Sequence, residues 1–205
     1  MTVRPRSRKE QIIDQATGLF AQHGYDKVTV KDLARACEIT EPALYRHFKG
    51  KDAIYDAVLD RLAGHLDHDS LFASLDGRDE LREILNGIAD HILSFFAANK
   101  DPYRLLLYST LGHHSKAKTV FRSLRLPYVT FLKDQLDRLY KAGAIVRKDN
   151  LITARCFVGM CFDCATCSML WNNFQGRRCT PKQLIANNIP IFVGGLTASG
   201  HSTKR

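Results

Sequence analysis

The 205-residue sequence predicts an all-α fold. Three observations carry that expectation. Apolar residues recur every three to four positions through most of the chain, the spacing of one helical face. Ser, Thr, Gly and Pro stand where helices would start and stop. The alternation of a strand is nowhere sustained. Hydrophobic residues make up 45%, enough for a substantial core and too many for wholesale disorder. The length fits one sizeable domain or a small one joined to a larger one.

The elements follow in order. Ser7-Arg-Lys-Glu10 is a capping box, in which the serine accepts from an early backbone N–H and the glutamate reaches back. Ile12, Ile13, Ala16, Leu19 and Phe20 then form one helical face, and His23-Gly24 ends it, glycine suiting the left-handed position past a helix. Thr29 caps a short helix containing Val30, Leu33, Ala34 and Cys37. Thr40 caps another, "EPALYRHF", with Pro42 tolerated in its first turn. Gly50 introduces a longer helix from Lys51 to near Leu66. Further helices are expected over 78–100, 102–113, 116–142 with a kink at Pro127, 150–174, and 181–197 with a disturbance at Pro190. The tail, about 199–205, reads as disordered. The division expected is a helix-turn-helix domain over 1–50, with a basic arm at 1–7, and a helical domain over 51–205.

The formal charge is +9, from 30 Lys and Arg against 21 Asp and Glu, which favours polyanionic partners without identifying one. Residues 1–64 hold 11 basic against 9 acidic side chains, so a nucleic-acid reading must rest on placed residues and not on bulk charge. No apolar run approaches the roughly 18–20 residues of a membrane span. The basic start lacks the apolar block of a signal peptide. The expected compartment is the cytosol, where six cysteines stay reduced.

A helix of about eight residues, a turn of about three and a second capped short helix form the helix-turn-helix pattern, whose second helix enters the major groove. Thr40 and the following helix start offer donors to phosphate, and Tyr45, His47, Lys49 and Lys51 are spaced to straddle a groove edge. A small helical hairpin with a solvated charged face would show the same spacing.

"GYDKVTVKDLARACEITEPALYRHFKGKDAIYDAVL" resembles the DNA-binding domain of the tetracycline-repressor (TetR) family of bacterial regulators. The carrying residues are Gly24-Tyr25, Thr29-Val30, Leu33-Ala34 and Leu44-Tyr45-x-His47-Phe48 followed by Lys51, within roughly residues 8–60. The resemblance implies a homodimer on a partly palindromic operator, with a recognition helix in each of two successive major grooves. It implies phosphate contacts from Thr29, Tyr45, His47 and Lys51. Lys31, Thr40, Glu41, Pro42, Ala43 and Arg46 fall where base-reading or groove-facing residues occur. Two readings of Glu41 stand: it accepts from an exposed amino group such as cytosine N4, or it complements the helix dipole without touching a base. Many relatives carry Gly where this chain has Glu38, and Gly, Ser or Thr where it has Ala43. Either Glu38 strains the turn or the turn avoids a left-handed residue. "RPRSRK" at 4–9 reads as an arm on DNA or as a solvated tail.

For the remainder the resemblance implies a small-molecule pocket, and a dimer made by the last two helices. Most aromatics over 78–142 are expected in the core. His91, Phe95, Tyr103, Arg104, Tyr108, Phe121 and Tyr128 are the candidate pocket residues, with Asn86 a further polar fixture and an apolar or aromatic effector the expected ligand. Cys161, Cys164, Cys167, Trp171, Ile189 and Phe192 are the candidate dimer residues.

His113-His114 and His65-x2-His68 lack a four-ligand pattern and read as surface or capping histidines. No Gly-rich phosphate loop, nucleophile elbow or His-Glu-x2-His is present, so an enzyme is not expected, nor a cofactor or metal. "CFDCATC" at 161–167 differs from the cluster run Cys-x2-Cys-x2-Cys-x3-Cys-Pro, because its fourth position is Trp171. At about 100° per residue, Cys156, Cys161, Cys164 and Cys167 share a stripe with Phe157 and Met160. Val158, Phe162, Ala165 and Met169 fill the opposite arc, so the helix should be buried on both sides. The functional expectation is a ligand-responsive regulator, most often a repressor in this family. The alternatives are a thiol or metal sensor using Cys156, Cys161, Cys164 and Cys167, and a helical metal or redox protein without specific DNA binding.

Overall fold

The structure, a computed structural model, describes residues 7–64, 66–111, 115–170, 173–174 and 176–197. The described residues are all-α apart from one pair of two-residue strands. In chain order the helices are α1 (Arg8–His23), α2 (Val30–Ala36), α3 (Glu41–Tyr45), α4 (Lys51–Gly64), α5 (His68–Leu75), α6 (Leu81–Ala98), α7 (Lys100–Leu111), α8 (Ser115–Ser123), α9 (Leu126–Lys141), α10 (Asn150–Leu170) and α11 (Pro181–Thr197). The strands β1 (Asn173–Phe174) and β2 (Arg177–Arg178) pair antiparallel between α10 and α11.

Contacts group the chain into two compact units, one from 1–66 with 99–124 and the other from 67–98 with 125–205. In the first unit α1 packs on α4 and α7, α4 on α7 and α8, and α2 bridges α1 to α3. Ile12, Ala16 and Phe20 of α1 meet a core completed by Leu33, Leu44, Ile54, Val58 and Leu59, all 1% exposed or less. Arg61 is ion-paired with Asp14 and donates to Thr17 Oγ1 at 3.0 Å, tying α4 to α1. The Ser7 capping box forms as expected, and Gly24, at φ +80°, closes α1 with its N–H on Phe20 O at 2.9 Å.

In the second unit α10 is central, packed against α6, α9 and α11, while α5 lies on α6 and α9. The core here is Ile84, Ile88, Ile92, Tyr128, Leu132, Leu136, Phe157 and Cys161, each fully buried. Gln135, 5% exposed, donates to Asp76 at 2.8 Å, which satisfies its amide inside the packing.

Four expectations are corrected. The span 116–142 is two helices, α8 and α9, and not one kinked helix. Pro127 has no N–H for the preceding turn and its ring crowds it, so the chain restarts with Pro127 in the first turn of α9. The helix expected over 150–174 stops at Leu170 and gives way to the strand pair, whose turn holds Gly176 at φ +83°. The helix α5 was not anticipated, since its eight residues are too few for a clear period. Pro190 lies inside a continuous α11 and does not interrupt it. Most of the arm, together with His65, His113, His114, Trp171 and the tail from 198, lies outside the described residues. No helix among the described residues is long and apolar enough to cross a membrane.

Candidate nucleic-acid interface

The helix-turn-helix is built from two capped short helices. Thr29 Oγ1 accepts from Asp32 N at 3.2 Å, and Asp32 accepts in return from the Thr29 N–H at 3.0 Å and hydroxyl at 2.6 Å. These bonds hold the Asp32 carboxyl below its usual range. Thr40 Oγ1 accepts from Ala43 N at 3.3 Å and starts α3, with Pro42 in the first turn. Between them the chain turns at Glu38, whose φ of +54° places a residue with a Cβ in the left-handed region. The turn therefore does use the conformation that glycine adopts freely.

Burial sorts the residues of this segment cleanly. Leu33, Ala34, Cys37, Leu44 and Phe48 point inward. Thr29, Lys31, Thr40, Glu41, Pro42, Tyr45, Arg46 and His47 are all exposed, and Ala43 is half-buried. Tyr45 is 51% exposed, high for an aromatic on a five-residue helix. Lys51 differs from the others. Its ammonium donates to Tyr25 O at 3.0 Å and sits 4.1 Å over the Tyr25 ring, while the Tyr25 hydroxyl donates to Asp52. An ammonium has three donors, so this anchoring leaves capacity for a further acceptor while fixing where the charge sits.

The candidate pocket residues divide between the two units. Tyr103, Arg104, Tyr108 and Phe121 belong to the first unit, and His91, Phe95 and Tyr128 to the second. Tyr103 is fully buried core, whereas Arg104 and Tyr108 line a groove at the end of α1. Asn86 is exposed on α6 and faces no interior. In the second unit His91 Nδ1 and the Tyr128 hydroxyl are 2.6 Å apart, inside an aromatic cluster. The His68 ring lies 4.7 Å from that of Tyr128, Phe72 stacks on Phe131 at 4.4 Å, and Arg125 lies 4.1 Å over Phe162. Burial lowers the His91 pKa, against a smaller opposing pull from Asp67. Phe72 and Arg125 were not named from the sequence, while His68 was read as a surface or capping histidine and Phe162 as part of the second apolar arc of α10. His68 and Phe72, four apart, gave the only periodic hint.

The cysteine stripe is divided by the packing. Cys161, Cys164 and Cys167 are at most 5% exposed within one protomer, while Cys156 is exposed. Burial pushes the Cys161 thiol far up and that of Cys164 up to about 11, which works against thiolate chemistry. Among the described residues no three His, Cys, Asp or Glu side chains are gathered as a metal site requires. Ile189 is also buried, and Phe192 packs on Phe157 at 5.2 Å, so these candidate dimer residues are covered from inside the protomer. The exposed arc is carried by Ile152, Cys156, Gly159 and Asp163 of α10, and by Asn187, Ile191 and Gly194 of α11.

Residues 12–58 match the model of bacterial regulatory proteins of the tetR family. This match runs from within α1 to within α4, including the Thr29 and Thr40 caps and the left-handed turn at Glu38. The matched segment of this chain is of the TetR type. The HTH-type transcriptional repressor Rv1474c of Mycobacterium tuberculosis is 42% identical over 52 residues, 25% of this chain and 28% of that protein. The negative regulator of the biofilm operon icaADBC in Staphylococcus aureus, IcaR, is 44% identical over 48 residues, 23% of this chain and 26% of that one. The match thus spans about a quarter of these curated relatives. Two solved structures share the fold over nearly the whole chain. AibR in complex with isovaleryl coenzyme A and operator DNA has a TM-score of 0.64 at 17% identity, over 90% of this chain and 97% of that one. A transcriptional regulator from Saccharomonospora viridis in complex with choline has a TM-score of 0.70 at 18% identity, over 93% and 97%.

Proposed function

We propose that this chain is a cytoplasmic transcriptional repressor, not an enzyme, that binds a palindromic operator as a homodimer and is released by a small molecule. The observation that carries the reading is the sorting on α2 and α3: apolar residues are buried, and polar and basic residues with one tyrosine face outward around two capped helix starts. Such a surface supplies phosphate contacts from Thr29, Tyr45, His47 and Lys51, and side chains for base edges from Lys31, Thr40, Glu41 and Arg46. Pro42 and Ala43 offer apolar contact at the groove floor.

The dimer is assigned to the exposed arc of α10 and α11. Gly159 and Gly194 there have nothing within 4 Å of a would-be Cβ, which suits the close approach of a second copy. The exposed Ile191, at 64%, is the apolar anchor of that face. For the effector, the His91–Tyr128 pair within the aromatic cluster provides polar fixtures in an apolar surround, the composition of small-molecule sites.

The test is selection of duplexes from a random pool at near-physiological salt. A recovered palindrome with half-sites about one helical turn apart is the expected result. Recovery of no common sequence, with binding that vanishes as salt rises, would show only the general attraction of a basic chain for DNA. A thiol-sensing function finds no support in the packing, because three of its four sulfurs are buried and held protonated.

A further inference from the structure

We propose that the groove at the C-terminal end of α1 binds a small planar aromatic carboxylate, its carboxylate on Arg104 and its ring between Tyr25 and Tyr108. The groove has a volume of about 780 Å³ and lies wholly within the first unit, formed by the end of α1, the turn that follows it, α4 and α7. Small-molecule sites run from roughly 300 to 1,000 Å³. It shares no lining residue with the His91–Tyr128 cluster.

Its chemistry selects the ligand. The floor is aromatic: the rings of Tyr25 and Tyr55 meet edge-on at 4.6 Å, and Tyr55 is itself 1% exposed. Tyr108 of α7 is 67% exposed and stands at the wall, an apolar surface that a flat ring would cover. The charged side chains lining the groove are Arg104 and Lys27 against one carboxylate, Asp26, with Asp101 beside Arg104 outside the lining. Arg104 is loosely engaged: it donates to Ala21 O at 3.4 Å and lies 3.6 Å from Asp101. Charge-assisted bonds to guanidinium are typically about 2.7–2.9 Å and often bidentate, so a ligand carboxylate would gain a stronger partner than either present contact. The carbonyl end of α1 also faces this groove and opposes an anion. Arg104 already sits on one of those carbonyls and offsets that end at the point of contact.

The location gives the site a consequence. Residues 22–27 of the groove lead directly into Thr29, the cap of α2, so occupancy biases how α2 leaves α1. That regulatory step rests on the reading of α2 and α3 as the DNA-contacting surface.

The full chain is titrated with 2-naphthoate without DNA, followed by naphthoate fluorescence. Saturable binding is expected, about tenfold weaker for 2-naphthamide and for Arg104→Gln, about fivefold weaker for Tyr108→Ala, and unchanged for Arg122→Gln, which does not line the groove. Tyr108 is exposed, so its variant keeps the test decisive if Arg104→Gln fails to fold. No saturation up to about 1 mM, or binding indifferent to Arg104 and Tyr108, overturns the site. Operator affinity is then measured with and without saturating 2-naphthoate, and a change of at least about threefold that both variants abolish is expected. Saturable binding with unchanged operator affinity overturns the coupling. A chain that binds naphthoate but no operator sinks the regulator reading and leaves the groove standing.

Discussion

Glu38 occupies the left-handed region at φ +54°, where a Cβ crowds the following carbonyl at a cost of roughly 1–2 kcal/mol. Its side chain is exposed to solvent. Glu38→Gly should therefore raise stability by about 1 kcal/mol, the relief being trimmed by glycine's greater freedom when unfolded. Thermal melting should show the midpoint rising by a few degrees, and an unchanged or lower midpoint would contradict the strain. Glu41 is exposed in the first turn of α3, and its position fits both base reading and a dipole role. Glu41→Ala should relax base preference at one operator position by about 1–3 kcal/mol, read from selected duplexes. Unchanged preference at every position would leave the dipole role. Both residues stood out in the sequence as departures or oddities, but only backbone geometry could decide that the turn is left-handed.

At the scale of elements, helix starts were legible because a cap is a local bond: Ser7, Thr29 and Thr40 all accept from the backbone N–H three residues on. Packing between elements was not legible. Gly87 of α6 lies under Leu75 of α5, and an added Cβ would stand 2.7 Å from Leu75 Cδ2. Gly87→Ala should push Leu75 away and loosen α5, costing about 1–3 kcal/mol of overpacking against about 1 kcal/mol gained in helix propensity. A lowered melting midpoint, with faster amide exchange in 68–75, would show it; a stabilised protein would mean that Leu75 swings aside freely. The cysteine helix α10 shows the same gap. With apolar residues on both arcs, periodicity predicted burial on both sides but could not say which arc its own protomer covers.

At the scale of the molecule, His91 links stability to pH. Its folded pKa lies below the ordinary 6.5, because burial disfavours the charged ring. The unfolded chain therefore binds the proton more readily, so stability is complete above about pH 6.5 and falls as pH drops below it. The lowered carboxylates Asp32, Asp67 and Asp137 act below their ordinary 3.8, outside that window. Melting midpoints should fall from pH 7.5 to 5.5 by more in the native protein than in His91→Gln, and equal falls would place the dependence elsewhere. Assembly is the second molecular property. Ile191→Arg puts a charge on the exposed α11 face and should convert the proposed dimer to a folded monomer, with binding to the proposed operator weakened at least about a hundredfold. Sedimentation velocity would read the mass, and an intact dimer would move the interface to another surface.

The sequence by itself determined the helical class, the caps of the first three helices and the set of side chains turned outward on α2 and α3. Each of these depends on contacts within a few residues, which spacing and residue type report directly. Only the tertiary structure decided that the aromatic candidates divide between two units, that Cys161, Cys164 and Cys167 face inward while Cys156 does not, and that Arg104 and Tyr108 meet the end of α1. Those outcomes depend on which distant surface covers each apolar arc. Where both arcs of a helix are apolar, hydrophobicity favours burying either, and packing makes the choice.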